Sequence, residues 1–158
     1  MATQQERNEM ITKIQSLSAE LEVAIQGLND AQLDTPYRDG GWTVRQVVHH
    51  LADSHINAFV RMKLILTENN PPLKAYNQDA WAVTADAKLP LASSLTILRG
   101  LHERWTVLLQ AVQEHEWIKT AIHPERGAVT LESQLVIYSN HGKKHIGHIM
   151  GLRNTKGW

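Results

Sequence analysis

Apolar residues recur at three- and four-residue steps in four long stretches of this chain, the spacing of helices that bury one face. Ile11, Ile14, Leu17, Leu21, Ala24 and Leu28 mark the first, which ends in the run from Gly27 to Asp30. Pro36, Gly40 and Gly41 then make a turn. Thr43 is placed as the N-cap of a second helix reaching to about Thr67, with the stripe Val44, Val48, Leu51, His55, Phe59, Met62 and Leu66. Asn69-Asn70-Pro71-Pro72 stops it, because proline has no amide hydrogen to continue the ladder. A third helix follows Pro90 with Leu91, Leu95, Leu98, Leu101, Trp105, Leu108 and Val112, and its polar end is Gln113 to Glu116. The fourth opens near Thr130-Leu131-Glu132 and carries Leu131, Leu135, Tyr138, Gly142, Ile149 and Leu152. Four such helices predict an all-α fold closed as a four-helix bundle, with residues 1–158 as one domain.

Two connections, Glu68 to Leu89 and Trp117 to Val129, are longer than a bundle needs, and long ordered loops commonly carry binding work. The second alternates weakly and turns at His123-Pro124-Glu125-Arg126-Gly127, a pattern that allows a short β-hairpin.

At 158 residues, 42% hydrophobic and 20% charged, the chain can bury a sizeable core. Its formal net charge of zero offers no basic stripe to nucleic acid. No apolar run approaches membrane-spanning length and the first ten residues are polar, so a cytoplasmic protein is expected. The absence of cysteine removes disulfides, thiolate nucleophiles and mixed Cys/His zinc sites. Any metal must therefore be held by nitrogen or oxygen.

Nine histidines supply the nitrogen. His141, His145 and His148 stand at i, i+4 and i+7, along one edge of the fourth helix's apolar stripe. On the second helix His50 shares a flank with Ser54, Asn57 and Arg61, whereas His49 lies about 100° further round, towards solvent. A metal ligand belongs where the bundle interior meets an opening, and His50, His141 and His145 fit that position best. His55 sits mid-stripe, where a hydrogen-bonded core histidine is the usual occupant. His102 and His115 read as structural or exposed, and His123 as a loop residue able to line a pocket. Gly142, on the stripe beside His141, would let a neighbouring helix come close.

The run Trp42-Thr43-Val44-Arg45-Gln46-Val47-Val48-His49-His50-Leu51-Ala52-Asp53-Ser54-His55, with Leu66-Thr67-Glu68, Tyr76, Trp81, His123 to Gly127 and His141 to Ile149, closely resembles the YfiT-like branch of the DinB superfamily. The resemblance covers nearly the whole chain. It implies an up-down-down-up four-helix bundle that binds one divalent ion per chain, Zn²⁺ or Ni²⁺, through three histidines. The family's Trp followed eight residues later by His-Leu matches Trp42 and His50-Leu51, and its His-x-x-x-His matches His141 and His145. It also implies a homodimer and a metal-dependent hydrolase, or a transferase of small thiols such as bacillithiol. Members carry a further N-terminal segment with an Arg-Tyr-Pro-like motif, whereas the sequence here opens at the first helix.

Three imidazoles leave a tetrahedral ion one open position, the arrangement of catalytic zinc. Such an ion can lower the pKa of water towards about 7 for hydrolysis of a small molecule, or take a substrate thiol as its thiolate. A non-catalytic metal-binding bundle is the third reading. The metalloprotease motif His-Glu-x-x-His is absent. Asp53, Glu125 and Glu132 are the conceivable bases, and Arg61, able to hold an anionic group, is expected to be mostly solvated. Proton competition for free imidazoles predicts metal affinity that falls below about pH 6.

Overall fold

The computed structural model describes residues 1–158. Helices α1 (Gln4–Ile25), α3 (Val44–Thr67), α5 (Ala92–Gln110) and α6 (Leu131–Lys156) are long, and α2 (Asp30–Leu33) and α4 (Gln78–Trp81) are single turns. Strands β1 (Thr120–His123) and β2 (Gly127–Thr130) form the allowed hairpin, with Ala121 opposite Val129. Three of the long helices begin alike: Thr3, Thr43 and Thr130 each accept from the backbone amide three residues on, and the side chain there bonds back. These capping boxes satisfy amides that would otherwise lack partners. The helix starts expected at Thr43 and Thr130 are met to the residue. The third helix stops at Gln110, and its expected polar end, Gln113 to Glu116, is a separate 3-10 turn.

Cross-helix pairs fix the directions. Arg99 meets Glu22 and Arg7 meets Glu114, so α1 and α5 are antiparallel. His49 meets Ser94 and Phe59 meets Trp105, so α3 and α5 are parallel. His50 meets His145 and Arg61 meets Tyr138, so α3 and α6 are antiparallel. The bundle is up-down-down-up. Two consecutive parallel helices require the chain to travel back the length of the bundle between them, which explains the long Glu68–Leu91 crossover.

Three polar side chains on one flank of α3 secure that crossover by its carbonyls. Arg61 donates to Lys74, Gln46 to Ala82 at 2.8 Å, and His49 Nε2 lies 3.0 Å from the Leu89 oxygen. Further along the bundle the crossover pairs with β1 through Leu73 N–H to the Ile122 carbonyl at 2.8 Å.

The apolar core divides in two. One cluster gathers Ile11, Ile14, Met62, Trp105, Trp117 and Leu135, and the other Leu21, Val44, Val48, Leu98, Ile149 and Leu152. Between them lies a layer of imidazoles from α3, α5 and α6. Gly142 belongs to that layer, and a Cβ there would come within 2.2 Å of the Leu17 side chain on α1. Glycine is what lets α1 and α6 approach, as its place on the stripe suggested.

Candidate metal centre and its cleft

Trp42 explains why a tryptophan should stand eight residues before a histidine. Just outside the Thr43 cap, its ring packs on His50 two turns down α3, with centroids 4.5 Å apart, and stacks parallel to His145 of α6 at 6.3 Å. One indole thus holds both histidine-bearing helices in register.

Against this wall His50, His141 and His145 converge, each offering one nitrogen within 4.8 Å of the others. A tetrahedral zinc ion with Zn–N near 2.0–2.1 Å would need these nitrogens roughly 3.3 Å apart, a spacing the three residues would have to close to hold it. The donor set fits a divalent ion in two respects. His50 Nε2 and His145 Nδ1 are buried without any hydrogen-bond partner, which is costly unless something else satisfies them. Burial, reinforced by neighbouring imidazoles, pushes His50 and His145 down to about 3 and His141 to about 4. All three are neutral at pH 7 and can donate lone pairs. The expected loss of metal affinity below pH 6 assumes free imidazoles, whereas burial holds all three below their ordinary value.

His148 lies outside the cluster and stacks on Tyr37 at 4.4 Å. His55, wholly buried, completes a chain of rings: its Nε2 is 3.3 Å from His141 Nδ1 and its Nδ1 is 2.9 Å from His102 Nε2. With His141 Nδ1 so engaged, Nε2 is the atom left to face an ion. His141 must then donate from Nδ1 to His55, and His55 from Nδ1 to His102. His102 is buried rather than exposed.

A cleft of about 620 Å³ opens beside His141, walled by Ser54 and Arg61 of α3, Tyr76 of the crossover, His123 of the hairpin, and Gln134 and Tyr138 of α6. Two expectations are corrected here. His49 is buried, with Nδ1 2.7 Å from Ser94 Oγ, and Arg61 is buried rather than solvated. In both cases the crossover covers a helix flank that periodicity assigns to water. Of the candidate bases, Glu132 is spent on Arg7 and the Ala2 amide at the far end of the bundle. Asp53, half-buried, is raised above the usual carboxylate range by burial. Glu125 lines the cleft from the exposed hairpin turn. Sequence reasoning missed the roles of Gln134 and Tyr138. The signal for Arg61 was present, since it lies eleven residues after His50, three helical turns along the same flank.

A family model for the DinB superfamily matches residues 14–149. A protein from Oceanobacillus iheyensis is 46% identical over 151 residues, covering 96% of this chain and 88% of its own length. One from Bacillus cereus is 48% identical over 148 residues, covering 94% and 86% respectively. Both are provisionally named metal-dependent hydrolases. The solved structure of YfiT from Bacillus subtilis, given the same provisional activity and an unusual four-helix bundle topology, superposes with a TM-score of 0.97 at 42% identity. It covers all of this chain and 91% of its own.

Proposed function

The chain belongs to the DinB superfamily, and on that premise we propose that it is a metal-dependent hydrolase of a small molecule, with one divalent ion held by His50, His141 and His145. The observation that carries this reading is the pair of buried, unpartnered nitrogens on His50 and His145, clustered with His141, which lines an open cleft. When bound, an ion on three imidazoles supplies Lewis acidity and an open position for the reacting group.

The chain's own residues do the rest. Trp42 excludes water from one side of the imidazoles, and His55 fixes the tautomer and angle of His141. Tyr138, whose ring centroid is 5.7 Å from that of His141, accepts at its oxygen from Arg61 and keeps its own O–H for a group in the cleft. Tyr76 is held neutral by burial, with its pKa raised.

One observation favours thiol transfer as a second reading. The only carboxylate lining the cleft is Glu125, on an exposed turn, so no fixed carboxylate stands in the cleft to take a proton from water. Elemental analysis tests the shared premise. Wild-type protein should carry about one Zn²⁺ or Ni²⁺ per chain, and His50→Ala, His141→Ala and His145→Ala, each with wild-type helicity, should lose it. Wild-type protein that takes up neither ion would overturn both readings. Assays for ester or amide hydrolysis and for thiol addition then separate them.

A further inference from the structure

Arg61 is the one buried arginine of this chain that meets no carboxylate. It is 8% exposed and always charged, and it is absent from every ion pair of the molecule. Its Nη1 donates to the Tyr138 hydroxyl at 3.4 Å and its Nη2 to the Lys74 carbonyl, both neutral acceptors. Its Nε–H is buried with no partner. Across the cleft Gln134, 2% exposed, leaves its Nε2 donor unpartnered as well. Both side chains line the same cavity, and both unmet groups are donors. A carboxylate or phosphate oxygen has only lone pairs to offer and carries the opposite charge, so it suits both donors.

Position links these donors to the imidazoles. Tyr138 touches Arg61 on one side and His141 on the other, so an anion at Arg61 lies one side chain away from the histidine cluster. On the hairpin at the mouth of the same cleft Arg126 and Glu125 carry opposite charges, which leaves Arg61 to set the sign of the site. We propose that the cleft takes an anionic small molecule, its carboxylate or phosphate bound by Arg61 and Gln134 and the rest of it directed past Tyr138 towards His141. That this molecule is the substrate rests on the metal-hydrolase reading; the anion site itself does not.

The test uses metal-free, ¹⁵N-labelled full-length protein titrated separately with succinate and with inorganic phosphate, with sodium chloride at matched ionic strength as the control. The Arg61 Nε–H resonance, identified by its loss in Arg61→Lys, should shift saturably together with the Gln134 side-chain amide. Affinity, followed at the Gln134 amide, should weaken about tenfold or more in Arg61→Lys, because the ammonium keeps the charge and loses the fixed fork. Gln134→Leu should weaken binding too, and it keeps the test open if the arginine variant does not fold. A response to succinate alone assigns a carboxylate, and one to phosphate alone a phosphate. No saturable response to either, or equal responses in the variants, overturns the site. His145→Ala separates the two readings: anion binding should survive in it while metal is lost. Metal uptake by wild-type protein without an Arg61 response would sink only the anion site.

Discussion

Of the three buried arginines of this bundle, Arg45 is paired with Asp30 and Asp34, and the other two, Arg7 and Arg61, have opposite surroundings. Arg7, fully buried near the start of α1, gives Nε to Glu132 at 3.0 Å and Nη2 to Glu114 at 3.0 Å, and lies over the Trp117 ring at 5.2 Å. Arg61, equally unable to shed its charge, meets two neutral oxygens and keeps a donor unmet. The same contrast holds for their ends of the molecule. Around Arg7 the charges are paired, and the salt bridges tie α1, α6 and the 3-10 turn together. Around Arg61 and the histidines, buried nitrogens have no partner and a cleft stands open. Burial alone therefore does not separate scaffold from site, whereas the pairing of buried charge does.

Acid should split these two ends most widely. His50 and His145 near 3, and His141 and His102 near 4, are held below their ordinary 6.5 mainly by burial. Groups depressed in the folded chain take up protons more readily when it unfolds. Their stabilising effect is therefore complete above about pH 6.5 and is lost as pH falls towards 4. Glu114 is also held low, by its hydrogen bond to Arg7; its contribution is present above about pH 4.5 and lost only below that, so the paired end gives way under more acid conditions. Metal-free protein should lose stability on the order of several kcal/mol between pH 6.5 and 4.5, seen as a falling midpoint in thermal melts followed by circular dichroism. Metal release on acidification should then coincide with unfolding. A melting point that stays level from pH 7 to 5 would remove the neutral-imidazole description.

Replacing each arginine by methionine, similar in length and apolar, breaks the comparison directly. Arg7→Met strands Glu132, which is mostly buried, and should cost about 3 kcal/mol in urea unfolding. Arg61→Met removes a cation that had no counter-charge, and the change should stay below about 1 kcal/mol or be stabilising. Equal losses in the two variants would show that Arg61 is scaffold after all.

Much of this was legible along the chain. The helices were, because apolar spacing and threonine caps are local signals, and so was the histidine trio, from the i, i+4 spacing of His141 and His145 and from the family resemblance that Trp42 and His50-Leu51 carry. What failed was the outer flank of α3. His49 and Arg61 stand where helical angles predict water, yet the crossover lies over them, held by the side chains that periodicity sends outwards. Nothing local marks the path of a segment that must return along the bundle. Parallel α3 and α5 impose that return, and the order of helix directions is a property of the whole fold.

The effect most specific to the imidazole layer is expected at His55. His55 touches no ion in the proposed site; it holds His141 by the Nδ1 edge, 3.3 Å away, and is held in turn by His102 at 2.9 Å. Replacing it by leucine keeps the apolar stripe of α3 intact and takes away the acceptor for His141 Nδ1–H together with the donor to His102 Nε2. Metal affinity in a competition with a chelator should fall 10- to 100-fold, about 1.4–2.8 kcal/mol, while the thermal midpoint of the metal-free protein moves little or rises. His55→Gln, which can again accept from His141, should recover part of the affinity. Metal loading should also bring His141, His55 and His102 into the Nδ1–H form, visible in their ring ¹⁵N shifts. If His55→Leu binds metal as tightly as the wild type, the ring chain is core packing alone, and the donor balance that separates Arg61 from Arg7 does not extend to the layer between the two halves of the core.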